Sequence, residues 1–274
     1  MNITHELAIS IIIPTYKPQG YVIDCLKSIN NQSFDKKKFE VLIILNGDKV
    51  PHYSFLENYL LQCAFSYQLF YSEIANVSNA RNIGIEQAKG KYLAFVDDDD
   101  IISVNYLQGL YDITKNDKIP LSYAQAFYEK ITNLNHYYIT NVYENIKDKS
   151  PTIFNIRSYF SSLCYKLIDR DTIGMHRFHL KFKNSEDALF MFAISEKKMK
   201  FQFADKTVVY YRRVRDNSVT TRKMSLLYKT GNCCRLIFTT IMIYAKSPQR
   251  YNFIFFVFRI LAYIKYLFRS TLFI

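Results

Sequence analysis

At 274 residues, 49% of them apolar or aromatic, the chain is long enough to bury a full core as one main α/β domain with an appendage. Its five cysteines, Cys25, Cys63, Cys164, Cys233 and Cys234, are odd in number and show no CxxC spacing, which indicates neither a disulfide framework nor a zinc site and suits a reducing cytosol. The net charge of +12 is local: nine of the 36 basic residues and none of the 24 acidic ones follow Asp216, so basicity belongs to the tail, and a nucleic-acid partner is not expected.

In chain order, Ile9 to Ile13 is a short apolar run without a basic lead-in that ends at Pro14, and it reads as a strand, not a signal peptide. Val22, Cys25, Leu26 and Ile29 recur at helical spacing. "FEVLIILNGD" at 39–48 has the continuous apolar character of a parallel strand covered on both faces. A helix near 55–64, a strand near 67–71 and a helix near 78–88 follow. Gly90 then introduces the strand Tyr92 to Val96. This alternation predicts a mostly parallel sheet flanked by helices. Ligands of such sheets bind beyond the carboxyl ends of the strands, so Thr15-Tyr16, Asn46-Gly47-Asp48 and Asp97 to Asp100 should face one crevice. Residues 121–144 fit strands and loops equally, and 145–152 reads as an exposed linker.

Four consecutive carboxylates, Asp97 to Asp100, repel one another, and each is driven toward its neutral form unless a cation or a hydrogen-bond donor compensates. A divalent ion with oxygen ligands, Mg²⁺ or Mn²⁺, meets that need. A solvated acidic turn or a helix-capping cluster is the plainer alternative.

Three stretches, "SIIIPTY" at 10–16, "NVSNARNIGIEQAKGKYLAFVDDDD" at 76–100 and "NSEDALFMF" at 184–192, together resemble glycosyltransferase family 2, bacterial inverting enzymes of GT-A fold. The likeness covers roughly residues 8–220, and the 79–100 piece is its most specific part. It implies transfer of a sugar from a nucleotide-sugar, with UDP the leading nucleotide, to a hydroxyl of a glycan or lipid-linked acceptor in surface polysaccharide synthesis. Asp97-Asp98-Asp99 matches the family's DxD motif, which implies Mn²⁺ or Mg²⁺ with Asp99 as direct ligand, Asp97 beside it, and Asp98 at the donor ribose or the metal. Glu186-Asp187 matches the ED motif, with Asp187 the expected base; acidic residues in a first helical turn are the plainer reading. The resemblance further implies Pro14 and Tyr16 at the donor, with Tyr16 stacking on the base, Arg81 at the diphosphate, and Arg213 and Arg215 of "YRRVRDNSVTT" at 211–221 near the donor phosphates. One departure stands out: where relatives commonly read VDDGS, this chain has Asn46, whose amide offers one acceptor oxygen but no charge to a base N–H. His176 and His179 form no metal pattern.

Two rival classes are weaker. A sugar nucleotidyltransferase would carry a Gly-rich phosphate loop after the first strand, and "PTYKPQG" is not one. A catalytically silent, membrane-bound glycan-binding scaffold would not need both the acidic metal motif and Glu186-Asp187.

The sequence divides into a catalytic domain, 1–221, and a basic amphipathic helical extension, 222–274. In "YNFIFFVFRILAYIKYLFRSTLFI" at 251–274, Arg259, Lys265 and Arg269 leave uncharged stretches too short to span a bilayer. Two placements fit: the interface of an anionic membrane, peripheral on the cytoplasmic face, or a helix packed on the catalytic domain with its basic side chains snorkelling outward.

Overall fold

The computed structural model describes residues 7–132, 134, 135, 137–215 and 225–269. The first half alternates as the patterning predicts: β1 (Ile9–Thr15), α1 (Gly20–Asn30), β2 (Phe39–Asn46), α2 (His52–Leu60), β3 (Ser66–Ser72), α3 (Val77–Gln87) and β4 (Tyr92–Phe95). Every residue of β1 and β2 is buried, as expected of strands covered on both faces. The buried stripe of α1 is Val22, Cys25, Leu26 and Ile29. Helix α3 is capped by the Asn76 side chain, which accepts from the Asn79 N–H at 3.1 Å. It lies close on β1: a Cβ on Gly84 would stand 2.4 Å from Ile12 Cγ2, so only glycine fits there.

The second half holds β5 (Ile101–Ile102), α4 (Tyr106–Thr114), β6 (Ile119–Leu121), β7 (Tyr123–Phe127), β8 (Leu134–Asn135), α5 (Tyr138–Ile146), β9 (Ile168–Asp169), α6 (Arg170–Ile173), α7 (Glu186–Ala193), β10 (Phe201–Phe203), β11 (Val209–Arg213), α8 (Leu226–Lys246) and α9 (Phe253–Arg269). The main sheet has the order β3-β2-β1-β4-β9, parallel except for β9. A smaller sheet, β5-β11-β7-β8, stands beside it. Strand β11 pairs antiparallel with β5, Tyr211 opposite Ile101, and so carries the 211–215 segment to the end of the aspartate run.

Two expectations are corrected here. Residues 121–144 are neither all strand nor loop, because they include most of α5, whose buried face is Ile139, Tyr143 and Ile146. Its Tyr and Asn content disguises it, since neither residue favours helix strongly. The exposed linker begins only at Lys147, after the last turn of α5.

The tail forms two helices that share the core. Tyr251 and Phe255 join the main cluster, where Phe255 meets Phe160 and Phe192 with ring centroids 5.5 and 5.9 Å apart. Cys233, Leu236 and Tyr263 pack with Phe182, Ala188 and Leu189. Arg259, expected to point outward, is turned inward and donates to Phe160 O at 2.9 Å. The outer faces keep large apolar groups exposed, among them Phe238, Ile241, Phe258 and Leu261. No described helix is long and apolar enough to cross a membrane. The expected boundary at residues 221 and 222 lies outside the described residues.

Candidate active site

Parallel pairing brings the carboxyl ends of the first strands to one edge: Thr15 of β1 is in register with Leu45 of β2, and Ile12 with Phe95 of β4. At the β1 end, the Tyr16 ring is 50% exposed. It covers Gly47, which has φ +98°, and any Cβ there would be 2.7 Å from the ring. Asn46 is buried and its Nδ2 donates to Thr15 O at 2.7 Å, which fixes the amide's orientation and identifies Oδ1 as its acceptor. Pro14 sits within β1, buried and paired in register with Ile44, one residue behind the edge.

The four aspartates divide their work. Asp97 Oδ1 lies 3.3 Å from Arg81 Nη2. Asp98 accepts from the Thr15 hydroxyl; desolvation pushes its carboxyl up to about 7, with Asp99 and Asp97 adding to the shift. Asp99 Oδ2 is 2.6 Å from Arg215 Nε, yet desolvation and the neighbouring Asp97 still raise its pKa. Asp100 is fully buried and serves the fold, accepting from Tyr210 Oη at 2.7 Å and from the Arg213 N–H at 2.8 Å. Tyr210 also holds the start of the run, its oxygen accepting from the Asp97 N–H at 3.2 Å. This tyrosine and Asp24, which pairs with Arg213 Nη2 at 2.9 Å, have no local sequence signal.

Arg213 and Arg215 both reach the aspartate run. Arg213 Nε donates to Asp99 O at 2.9 Å, and its guanidinium lies over the Phe127 ring. The Arg215 guanidinium lies 4.5 Å from the Tyr21 ring centroid. Residues 216–221 of the same stretch lie outside the described residues.

The other wall is the start of α7. Ser185, just before it, has φ +61°, a left-handed conformation uncommon for a residue with a side chain. Glu186 and Asp187 converge on Arg81, with Asp187 Oδ1 2.7 Å and Glu186 Oε1 3.3 Å from Nη1. In this structure the Arg81 guanidinium faces carboxylates. It is 5% exposed and ties Asp97, Glu186 and Asp187 into one cluster. Burial works against its charge, but Asp187, Asp97 and Glu186 more than offset this and keep it protonated. Asp187 is held well above the usual carboxylate range, at about 7, by burial, although Arg81 pulls in the opposite direction. A reciprocal amide clasp fixes the two walls: Asn82 Nδ2 donates to Phe178 O at 3.0 Å, and the Phe178 N–H donates to Asn82 Oδ1 at 2.7 Å. The Phe178 ring stacks on Phe190 of α7 at 3.9 Å.

Asp97 and Asp99 offer hard oxygen donors of the kind Mg²⁺ and Mn²⁺ accept. Among the described residues no three His, Cys, Asp or Glu side chains converge into a complete metal cage. His176 is engaged elsewhere, its Nε2 3.1 Å from Arg250 Nη1.

The model of the family described as Glycosyl transferase family 2 matches residues 10–171, more than half of the chain. EpsH of Bacillus subtilis (strain 168) is 24% identical over 235 residues, covering 82% of this chain and 66% of EpsH. The minor teichoic acid biosynthesis protein GgaB of the same organism is 26% identical over 218 residues, covering 76% of this chain but 23% of GgaB. The crystal structure of S. aureus TarS 1–349 in complex with UDP-GlcNAc matches with a TM-score of 0.67 at 18% identity, covering 86% of this chain and 67% of that one. The chain thus spans about two thirds of EpsH and of that TarS fragment and under a quarter of GgaB. The parallel sheet, its flanking helices and the match to the family model agree: the fold is GT-A, and the chain belongs to glycosyltransferase family 2.

Proposed function

We propose that this chain is an inverting glycosyltransferase that moves a sugar from a nucleotide-sugar, a UDP-sugar in the first instance, to a hydroxyl of a glycan or lipid-linked acceptor in bacterial surface glycan synthesis. The observation that supports this reading is the Arg81 cluster, in which one buried guanidinium joins Asp97 of the aspartate run to Glu186 and Asp187 at the start of α7. Asp187 takes the proton of the acceptor hydroxyl; the acceptor oxygen bonds to the anomeric carbon as the bond from that carbon to the diphosphate breaks on the opposite face. Its raised pKa suits a group that must accept a proton near neutral pH. Arg213 and Arg215 neutralise charge on the departing diphosphate. A divalent ion held by Asp99 and Asp97 would add Lewis-acid stabilisation of that leaving group.

At the nucleotide end, Tyr16 stacks on the base and the Asn46 oxygen accepts its N–H. UDP as nucleotide draws support from the TarS complex with UDP-GlcNAc. A role in surface polymers draws support from GgaB, named for minor teichoic acid biosynthesis. The exposed apolar groups of α8 and α9, in a tail with no acidic residue, favour attachment to an anionic membrane surface, where a lipid-linked acceptor would be met.

The test is a screen of nucleotide-sugars for stabilisation against heating with and without Mn²⁺, since a bound donor raises apparent stability by mass action. A UDP-sugar should stabilise the chain only with the cation present, and Asp99→Ala should abolish the effect. Stabilisation of Asp99→Ala equal to that of the wild type would overturn the metal assignment.

A further inference from the structure

Where α9 crosses the turn at residues 157–161, a cavity of about 340 Å³ opens, and its lining includes Arg157, Ser161, Arg259 and Lys265 together with Phe258 and Leu261. No acidic side chain among the described residues lines it. Arg259 is 4% exposed. Its Nη2 donates to Phe160 O at 2.9 Å, its Nη1 lies 3.4 Å from Ser161 Oγ, and its Nε has no hydrogen-bond partner. None of the ion pairs among the described residues involves Arg259. Arginine is seldom this buried without a counter-charge. Desolvation pushes its pKa down, as expected of a guanidinium that no carboxylate compensates. Arg157 and Lys265 are exposed at the rim, and the Arg157 guanidinium lies over the Phe258 ring.

We propose that this cleft binds the phosphate of an anionic phospholipid headgroup. Arg157, Arg259 and Lys265 supply the charge, and the Ser161 hydroxyl adds a donor. The lipid source follows from continuity: Phe258 and Leu261 line the cleft and also belong to the exposed apolar face of α9, beside Ile254 and Val257. A phosphate seated here would have its acyl chains against that face, whereas a free anion has no use for an apolar rim. The site rests on the reading that the tail lies on a membrane, and it gives that contact a specific headgroup pocket.

The experiment measures binding of the full-length chain to mixed phosphatidylglycerol and phosphatidylcholine vesicles and to pure phosphatidylcholine vesicles. The exposed pair Arg157→Gln/Lys265→Gln is compared with Lys229→Gln/Lys246→Gln, which removes equal charge from α8. The pocket pair should weaken binding to the anionic vesicles about tenfold more than the α8 pair, the order expected for losing two close cation contacts. Equal losses in the two pairs would mean diffuse attraction and overturn the pocket while leaving the membrane reading intact. Absence of wild-type binding to either vesicle would remove both. Stabilisation against heating by inorganic phosphate as large as that by the anionic vesicles would assign the cleft to free phosphate and overturn the lipid source.

Discussion

Asp187 must be ionised to accept a proton, and burial holds its carboxyl at about 7, so the rate of transfer should rise with pH through that value and level off above it. Asp187→Asn should keep donor binding, lower turnover by about a hundredfold or more and flatten the profile, as steady-state kinetics across pH would read. Near-normal turnover in that variant would move the base elsewhere. Arg81 supports a different prediction, because its three carboxylates depend on one buried cation. Arg81→Met should cost about 3–5 kcal/mol in urea unfolding at neutral pH, the scale for stranding buried charge. The loss should shrink toward acid. Stranded carboxylates titrate higher folded than unfolded, so in that window the folded state binds more protons and stability falls as pH rises. A cost independent of pH would point to lost packing instead. The residue types at this site were legible from the acid pairs, since charge clustered after an apolar strand demands compensation. What compensates them was not: the resemblance assigned Arg81 to a diphosphate, and only the fold shows its guanidinium under three acids drawn from two segments.

The elements of the first half could be read because each strand and helix carries its own periodicity and the connections are short. Gly84 shows how closely they pack: Gly84→Ala places a Cβ 2.4 Å from Ile12 Cγ2 and should cost about 1–3 kcal/mol in denaturant unfolding, an increment that shrinks when measured in an Ile12→Ala background. An unchanged midpoint would mean that α3 can lift from β1 freely. The smaller sheet was not legible, for a physical reason. Strand β5 is two residues long and pairs with β11 more than a hundred residues later, so its local pattern specifies nothing. That pairing nevertheless sets Arg213 and Arg215 against the aspartates, with Asp100 and Tyr210 as its fastening. Helix α5 escaped for a related reason, its buried stripe setting Tyr143 between Ile139 and Ile146 on a segment rich in weak helix formers.

At the scale of the whole molecule, the charge partition marked the tail as separate in character, and the fold joins it to the rest through Tyr251, Phe255 and Tyr263. Ending the chain after Arg215 would uncover Phe160, Phe192 and Leu189, so the shortened protein should lose several kcal/mol of stability, the cost of stripping large apolar partners from a core. A shortened chain with an unchanged unfolding midpoint would show the tail to be an independent appendage. Sugar transfer in the crevice bounded by Asp97, Asp99, Arg81 and Asp187 is read out by nucleoside diphosphate release. The donor that best stabilises the chain would be incubated with a membrane extract as acceptor source, with and without Mn²⁺, for the wild type and for Asp187→Asn. Release should require both cation and extract and fall about a hundredfold in the variant. Equal release by wild type and Asp187→Asn, or none from the wild type with any donor that binds, would contradict it.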